Sequence, residues 1–198
     1  MSTRWVDDWR SYVTRHRLVA AIVAGFVATH VATNLGMWFH GLGLPDLNFN
    51  ILNGYLVFGN SANAFGTEGF QDPVILTLFG AGAHYAQGVI FALIFAFGIH
   101  PLIPISNSVI GNIIKAIIWS LVLATLSAVW WINLFPNLAG AGVNAGFFFS
   151  NFGPDQLTWI AALYLWHIVW GINLGLFYNP KELPETADGS PETASAAA

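Results

Sequence analysis

The chain contains no cysteine, which excludes disulfides, thiolate metal sites, iron–sulfur clusters and cysteine nucleophiles, and leaves the redox compartment open. Charge is nearly as scarce. Lys, Arg, Asp and Glu make up 8% of 198 residues and apolar residues 56%, against about 25% charged in soluble domains. A water-facing globule of this size needs more surface charge than that, so lipid is the expected solvent for most of the chain. Six basic residues are outnumbered by ten acidic ones, for a net charge of −4. With no basic patch to meet a phosphate backbone, nucleic acid is excluded as a partner. Walker, Rossmann, nucleophile-elbow and zinc-protease motifs are also missing.

What is present is a set of long apolar runs. Crossing a hydrocarbon core takes roughly 20 helical residues, and four segments qualify, near residues 17–39, 73–100, 109–135 and 157–178. The first is longer than a signal-peptide core of about 7 to 15 residues and no small-residue cleavage site follows it, so it reads as a retained span. The expected fold class is an all-α integral membrane protein, a four-transmembrane-helix bundle. Residues 1–16, which include WVDDWRSYVTRH, place Trp5, Trp9 and Tyr12 or Val13 on one helical face, as an interfacial helix does. Residues 17–178 form the membrane domain. Residues 179–198 are acidic, rich in Pro and Ala and aperiodic, and are expected to be a disordered cytoplasmic tail.

The charges predict orientation. Arg4, Arg10, Arg15, Arg17, Lys115 and Lys181 fall at the N-terminus, near the second connection or just past the fourth span, whereas the other two connections carry only Asp46, Glu68, Asp72 and Asp155. By the positive-inside rule both termini face the cytoplasm, in a multi-pass protein of the cell (inner) membrane. The two outer connections, residues 40–72 and 136–156, are long, rich in Gly, Asn and Phe, and almost uncharged. Backbone near a membrane has its hydrogen bonds met by protein, water or its own turns, so these extracytoplasmic loops are expected to be ordered, as a cap or a contact surface. A faint parallel repeat links span two, with His84-x-x-x-Gly88, to span four, with His167-x-x-x-Gly171.

Three of six histidines lie inside spans. At a rise of 1.5 Å per residue, His30 stands about 20 Å above Arg17, and His84 and His167 about 15 Å below the outer starts of their helices. All three fall near one depth. Small and hydrogen-bonding neighbours, including Thr33 and Asn34, Gln87 and Gly88, and Tyr164 and Gly171, suggest that each ring faces a helix contact. Span one also carries a small-residue stripe, Ala20, Ala24, Ala28, Ala32 and Gly36.

Two readings follow. In one, the imidazoles are interhelical hydrogen-bonding groups of an accessory or scaffold subunit, whose partners are the bilayer and other membrane subunits or further copies of the chain. In the other, His30, His84 and His167 hold a haem or a transition metal, with Thr33, Asn34, Gln87 and Tyr164 supporting them, and the chain is a redox subunit. The absence of Asp and Glu from every span excludes a di-iron carboxylate centre. Transport of a small solute is a weaker third reading, since four helices leave little room. His40, beside Trp38, is the candidate for the outer mouth. Lys115 is expected to snorkel to the headgroups, while His16 and His100 are expected to be ordinary interfacial residues.

Overall fold

A computed structural model describes residues 4–58, 73–132 and 145–182. The parts of the outer connections at residues 59–72 and 133–144, and the tail from residue 183, lie outside the described residues. Six α-helices are described: α1 (Arg4–Arg15), α2 (Arg17–Gly36), α3 (Phe49–Phe58), α4 (Pro73–Ile94), α5 (Val109–Leu126) and α6 (Gln156–Phe177). Four helical stretches, Arg17–Gly36, Thr77–Leu102, Val109–Trp130 and Phe147–Phe177, are long and apolar enough to cross a membrane, with mean hydropathies of 1.6 to 2.0. They fall on the four segments expected from the sequence.

Local chemistry sets the helix ends. Proline opens α4, where its missing N–H is no loss. Ser108 caps α5 by accepting from the Gly111 N–H at 3.0 Å. Two spans continue through π turns, α4 at Phe95–Ile99 and α5 at Ser127–Trp131. Phe148 and Phe149 adopt left-handed backbone angles, φ 48° and 59°, in the tight turns that lead into α6.

Helix α2 packs against both α4 and α6, and α6 packs in turn on α5. The buried face of α2 is Ala20, Ala21, Ala24, Gly25, Ala28, Thr29, Ala32, Thr33 and Gly36, so the small stripe of the sequence does form a close helix contact. A Cβ on Gly25 would lie 2.7 Å from Ala92 Cβ, and one on Gly88 would lie 1.9 Å from Thr29 Oγ1. The two backbones approach where a glycine on one helix faces a small side chain, Ala92 or Thr29, on the other. The same device joins α6 to α5, where a Cβ on Gly175 would lie 2.5 Å from the Ile113 Cα. Dispersion between closely opposed backbones and hydrogen bonds across them hold such helices together in lipid, where burial of apolar surface contributes little.

Part of the first outer connection is itself helical. Helix α3 lies against α4, its Asn50 carbonyl so close to Gly80 that a Cβ there would overlap it.

At the opposite end, α1 is fastened to the bundle. Trp9 Nε1 donates to the Phe177 carbonyl at 3.1 Å, and the Arg10 guanidinium donates to the carbonyls of Asn107 and Pro180. Tyr178, Asn179 and Pro180 are buried. The tail expected to be free from residue 179 is therefore packed through its first residues, because their polar groups find partners on α1 and α5.

Candidate functional site

The polar groups within the long apolar helices sort into two places. His84 and His167 both line a cavity of about 50 Å³ between α2, α3, α4, α5 and α6, together with Thr29, Asn53, Gln87 and Ser127. Gly88 brings Thr29 to its wall, and Trp166 and Phe49 also line it, packed edge to face with 4.8 Å between ring centroids.

Hydrogen bonding fixes the state of each ring. Asn53 Nδ2 donates to the Phe49 carbonyl at 2.9 Å, which settles its amide orientation, and the same nitrogen stands 3.3 Å from His84 Nδ1. His84 Nδ1 is therefore the acceptor. Its Nε2–H donates to Thr33 Oγ1 at 3.0 Å. Both nitrogens of this imidazole are engaged with protein. His167 donates from Nδ1–H to the Leu163 carbonyl at 2.9 Å, which leaves Nε2 as a lone pair in a residue only 6% exposed. Trp170 Nε1 donates to Thr29 Oγ1 at 3.0 Å, adding a bond between α6 and α2.

His30 is elsewhere. It is exposed on α2, its Nδ1 2.7 Å from Tyr85 Oη, and exposed Asn34 donates to the His30 carbonyl at 2.8 Å. The three-histidine convergence does not form, because His30 lies on the face of α2 opposite the Ala stripe. No group of three or more His, Cys, Asp or Glu side chains that could hold a metal ion occurs among the described residues. The remaining geometry fits haem poorly too. His84 has no nitrogen left to ligate, and about 50 Å³ is far short of the roughly 300 Å³ or more of ordinary cofactor pockets.

The supporting residues are redistributed in the same way. Thr33 serves His84, not its sequence neighbour His30. Gln87 lines the cavity. Tyr164 bonds Thr125 Oγ1 at 2.8 Å across the exposed side of α5 and α6, away from His167. At the end of the bundle opposite α1, exposed His40 pairs with Asp46 at 2.8 Å, and the Trp38 ring lies 6.1 Å from the His40 ring. The His40 backbone N–H, donating to Asp46 Oδ1 at 2.8 Å, is the main cause holding that carboxyl below its usual range.

One polar cluster escaped the sequence reading. Asn112 is fully buried on α5; its Oδ1 accepts from His100 Nε2 at 2.8 Å, and its Nδ2 donates to Asn179 Oδ1 at 2.7 Å and to the Pro180 carbonyl at 2.9 Å. Lys115 extends back past the start of α5, donates to Asn107 Oδ1 at 2.7 Å, and is 3% exposed. Arg17 and Tyr178 Oη both donate to the Ala96 carbonyl in the π turn, at 2.6 and 3.2 Å. The available clue was spacing: Asn112 and Lys115 are three residues apart, on one face at the start of an otherwise apolar span.

No protein family, curated protein or solved structure matches the chain.

Proposed function

We propose that the chain is a multi-pass protein of the cell (inner) membrane, with both termini cytoplasmic, acting as a noncatalytic accessory or scaffold subunit of a larger membrane assembly. The four apolar helices support insertion, and the basic side chains gathered around Asn107, Tyr178 and Pro180 support the orientation. His84 acts as a joint between helices, bonded to Thr33 of α2 and Asn53 of α3.

One observation carries the subunit reading. His30, Asn34 and Tyr85 form a hydrogen-bonded polar group on the outward side of α2 and α4, about 20 Å along the span from Arg17. Ionisable side chains at that depth almost always face a bundle interior or a water-filled cavity. Here the bundle's own interior is on the other side, so the interior in question is completed by a helix of another chain.

A photo-crosslinking residue at Val31 or Leu35, tested in the native membrane, checks this. We expect adducts with one defined membrane protein, reduced by His30→Leu with Asn34→Leu while thermal unfolding of the purified chain is unchanged. Adducts to lipid alone, with a stable monomer in gentle detergent, would overturn the reading.

A further inference from the structure

We propose that the central cavity is a binding site for a small neutral hydrogen-bonding molecule, whose resident is water, held by His167 Nε2. The inference is independent of whether a partner covers His30.

The chemistry of the wall defines the ligand. Because Nδ1–H of His167 donates to the Leu163 carbonyl, the neutral ring presents Nε2 as an acceptor, and no described residue donates to it. His167 is only 6% exposed and lines the cavity, so its lone pair is met by no protein donor among the described residues and depends on what enters that space. Around it stand donors that the fold also leaves over. Thr29 Oγ1 accepts from Trp170, which leaves its hydroxyl hydrogen for another acceptor. The half-buried side chains of Gln87 and Ser127 line the same space with no protein partner among the described residues. They come from α2, α4 and the π turn after α5, so the site exists only when the helices are assembled. π turns inside helices frequently mark functional positions, and this one begins at Ser127.

Size and charge narrow the choice. A buried water needs roughly 10–15 Å³ and two to four polar partners; about 50 Å³ admits a few waters or a molecule of similar bulk. Among the described residues no Asp, Glu, Lys or Arg lines the cavity, so these walls offer an ion of either sign no counter-charge. The acceptor at Nε2 selects a molecule that donates a proton, and Thr29, Gln87 and Ser127 select one that also accepts. Water does both.

The test is water-edited solid-state NMR on histidine-labelled protein in liposomes, with His167 assigned by difference from His167→Gln. Magnetisation from water is expected to reach the His167 ring nearly as fast as that of exposed His40, with Nε2 unprotonated. Ser127→Val, which fills the space, should slow that transfer at least several-fold while His40 and the helical signals are unchanged. No transfer to His167 at mixing times that light up His40 would overturn the proposal. So would ring cross-peaks to carbon-bound protons of a co-purified molecule, which would put an organic ligand where water is proposed.

Discussion

His84 Nε2 lies 3.0 Å from Thr33 Oγ1, tying α4 to α2 at a level where Gly88 and Thr29 have already brought the two backbones together. Both partners are buried, Thr33 1% and His84 5% exposed, so neither finds a substitute in solvent. The bond explains why a histidine is tolerated here: it donates to α2 through one nitrogen and accepts from Asn53 of α3 through the other.

Thr33→Val keeps the shape of the side chain and removes the acceptor. The His84 N–H is then stranded, and stability is expected to fall by about 0.6 to 1.7 kcal/mol, the range measured for hydrogen bonds between helices in membranes. Thr29→Val should do the same to Trp170 Nε1. Reversible unfolding in mixed micelles reads both effects, and a Thr33→Val protein as stable as the parent would mean that this bond contributes nothing.

The glycines separate packing from propensity. A Cβ on Gly88 would meet Thr29 Oγ1 at 1.9 Å, and Thr29 is held in place by Trp170, so Gly88→Ala should cost about 1–3 kcal/mol through overpacking. Gly82, six residues earlier on α4, has nothing within 4 Å of its Cβ position. Gly82→Ala should be neutral or stabilising by up to about 1 kcal/mol, the difference in helix propensity. Melting curves of the two purified variants check the opposite signs.

The spans were legible because length and apolarity alone mark them, and the buried face of α2 was legible because Ala20, Ala24, Ala28 and Ala32 repeat every fourth residue. The same stripe held the clue that His30 faces away. Ala28 and Ala32, each two residues from it, sit about 160° around the helix, so the ring cannot share their face. Thr33 and Asn34 misled because a neighbour three residues on can belong to the buried stripe while its partner does not. Asn53 was beyond reach for another reason: it comes from a connection that folds back as α3, a tertiary event with no periodic trace. Asn112 and Asn179 are 67 residues apart, and only the assembled bundle brings them together.

Asp46 supplies a pH dependence at the end of the bundle opposite α1. Its folded pKa is lowered, first by the His40 backbone N–H, so its contribution is present above the unfolded value of about 3.9 and is lost as pH falls through the lower folded value. The turn at Phe39–Leu42 should stay protected through the ordinary carboxylate range and loosen only below it. Amide hydrogen exchange at His40 between pH 6 and 2, corrected for intrinsic rates, would follow this; in Asp46→Asn the step should vanish. Loosening already above the ordinary range would reverse the sign of the shift.

Asn112 is the position where one substitution should open the end of the bundle that carries α1. Its amide is at once the acceptor for His100 and the donor to Asn179 and the Pro180 carbonyl, and the side chain is fully buried. Asn112→Leu removes these three bonds and a longer fourth one, 3.4 Å, to the Asn107 carbonyl, and leaves their partners beneath an apolar group, at about 1–3 kcal/mol for each buried group that finds no other partner. The released segment is specific. Lys181 is held at its backbone by Thr14, 2.9 Å, and Pro180 also by Arg10, so losing Asn112 weakens the link between α1 and the chain leaving α6. Limited trypsin digestion in liposomes should cut after Lys181 at least several-fold faster in Asn112→Leu, while cleavage after Arg4 changes little. Equal rates in parent and variant would show that Arg10 and Thr14 suffice to hold this segment, and that the buried amide is not its anchor.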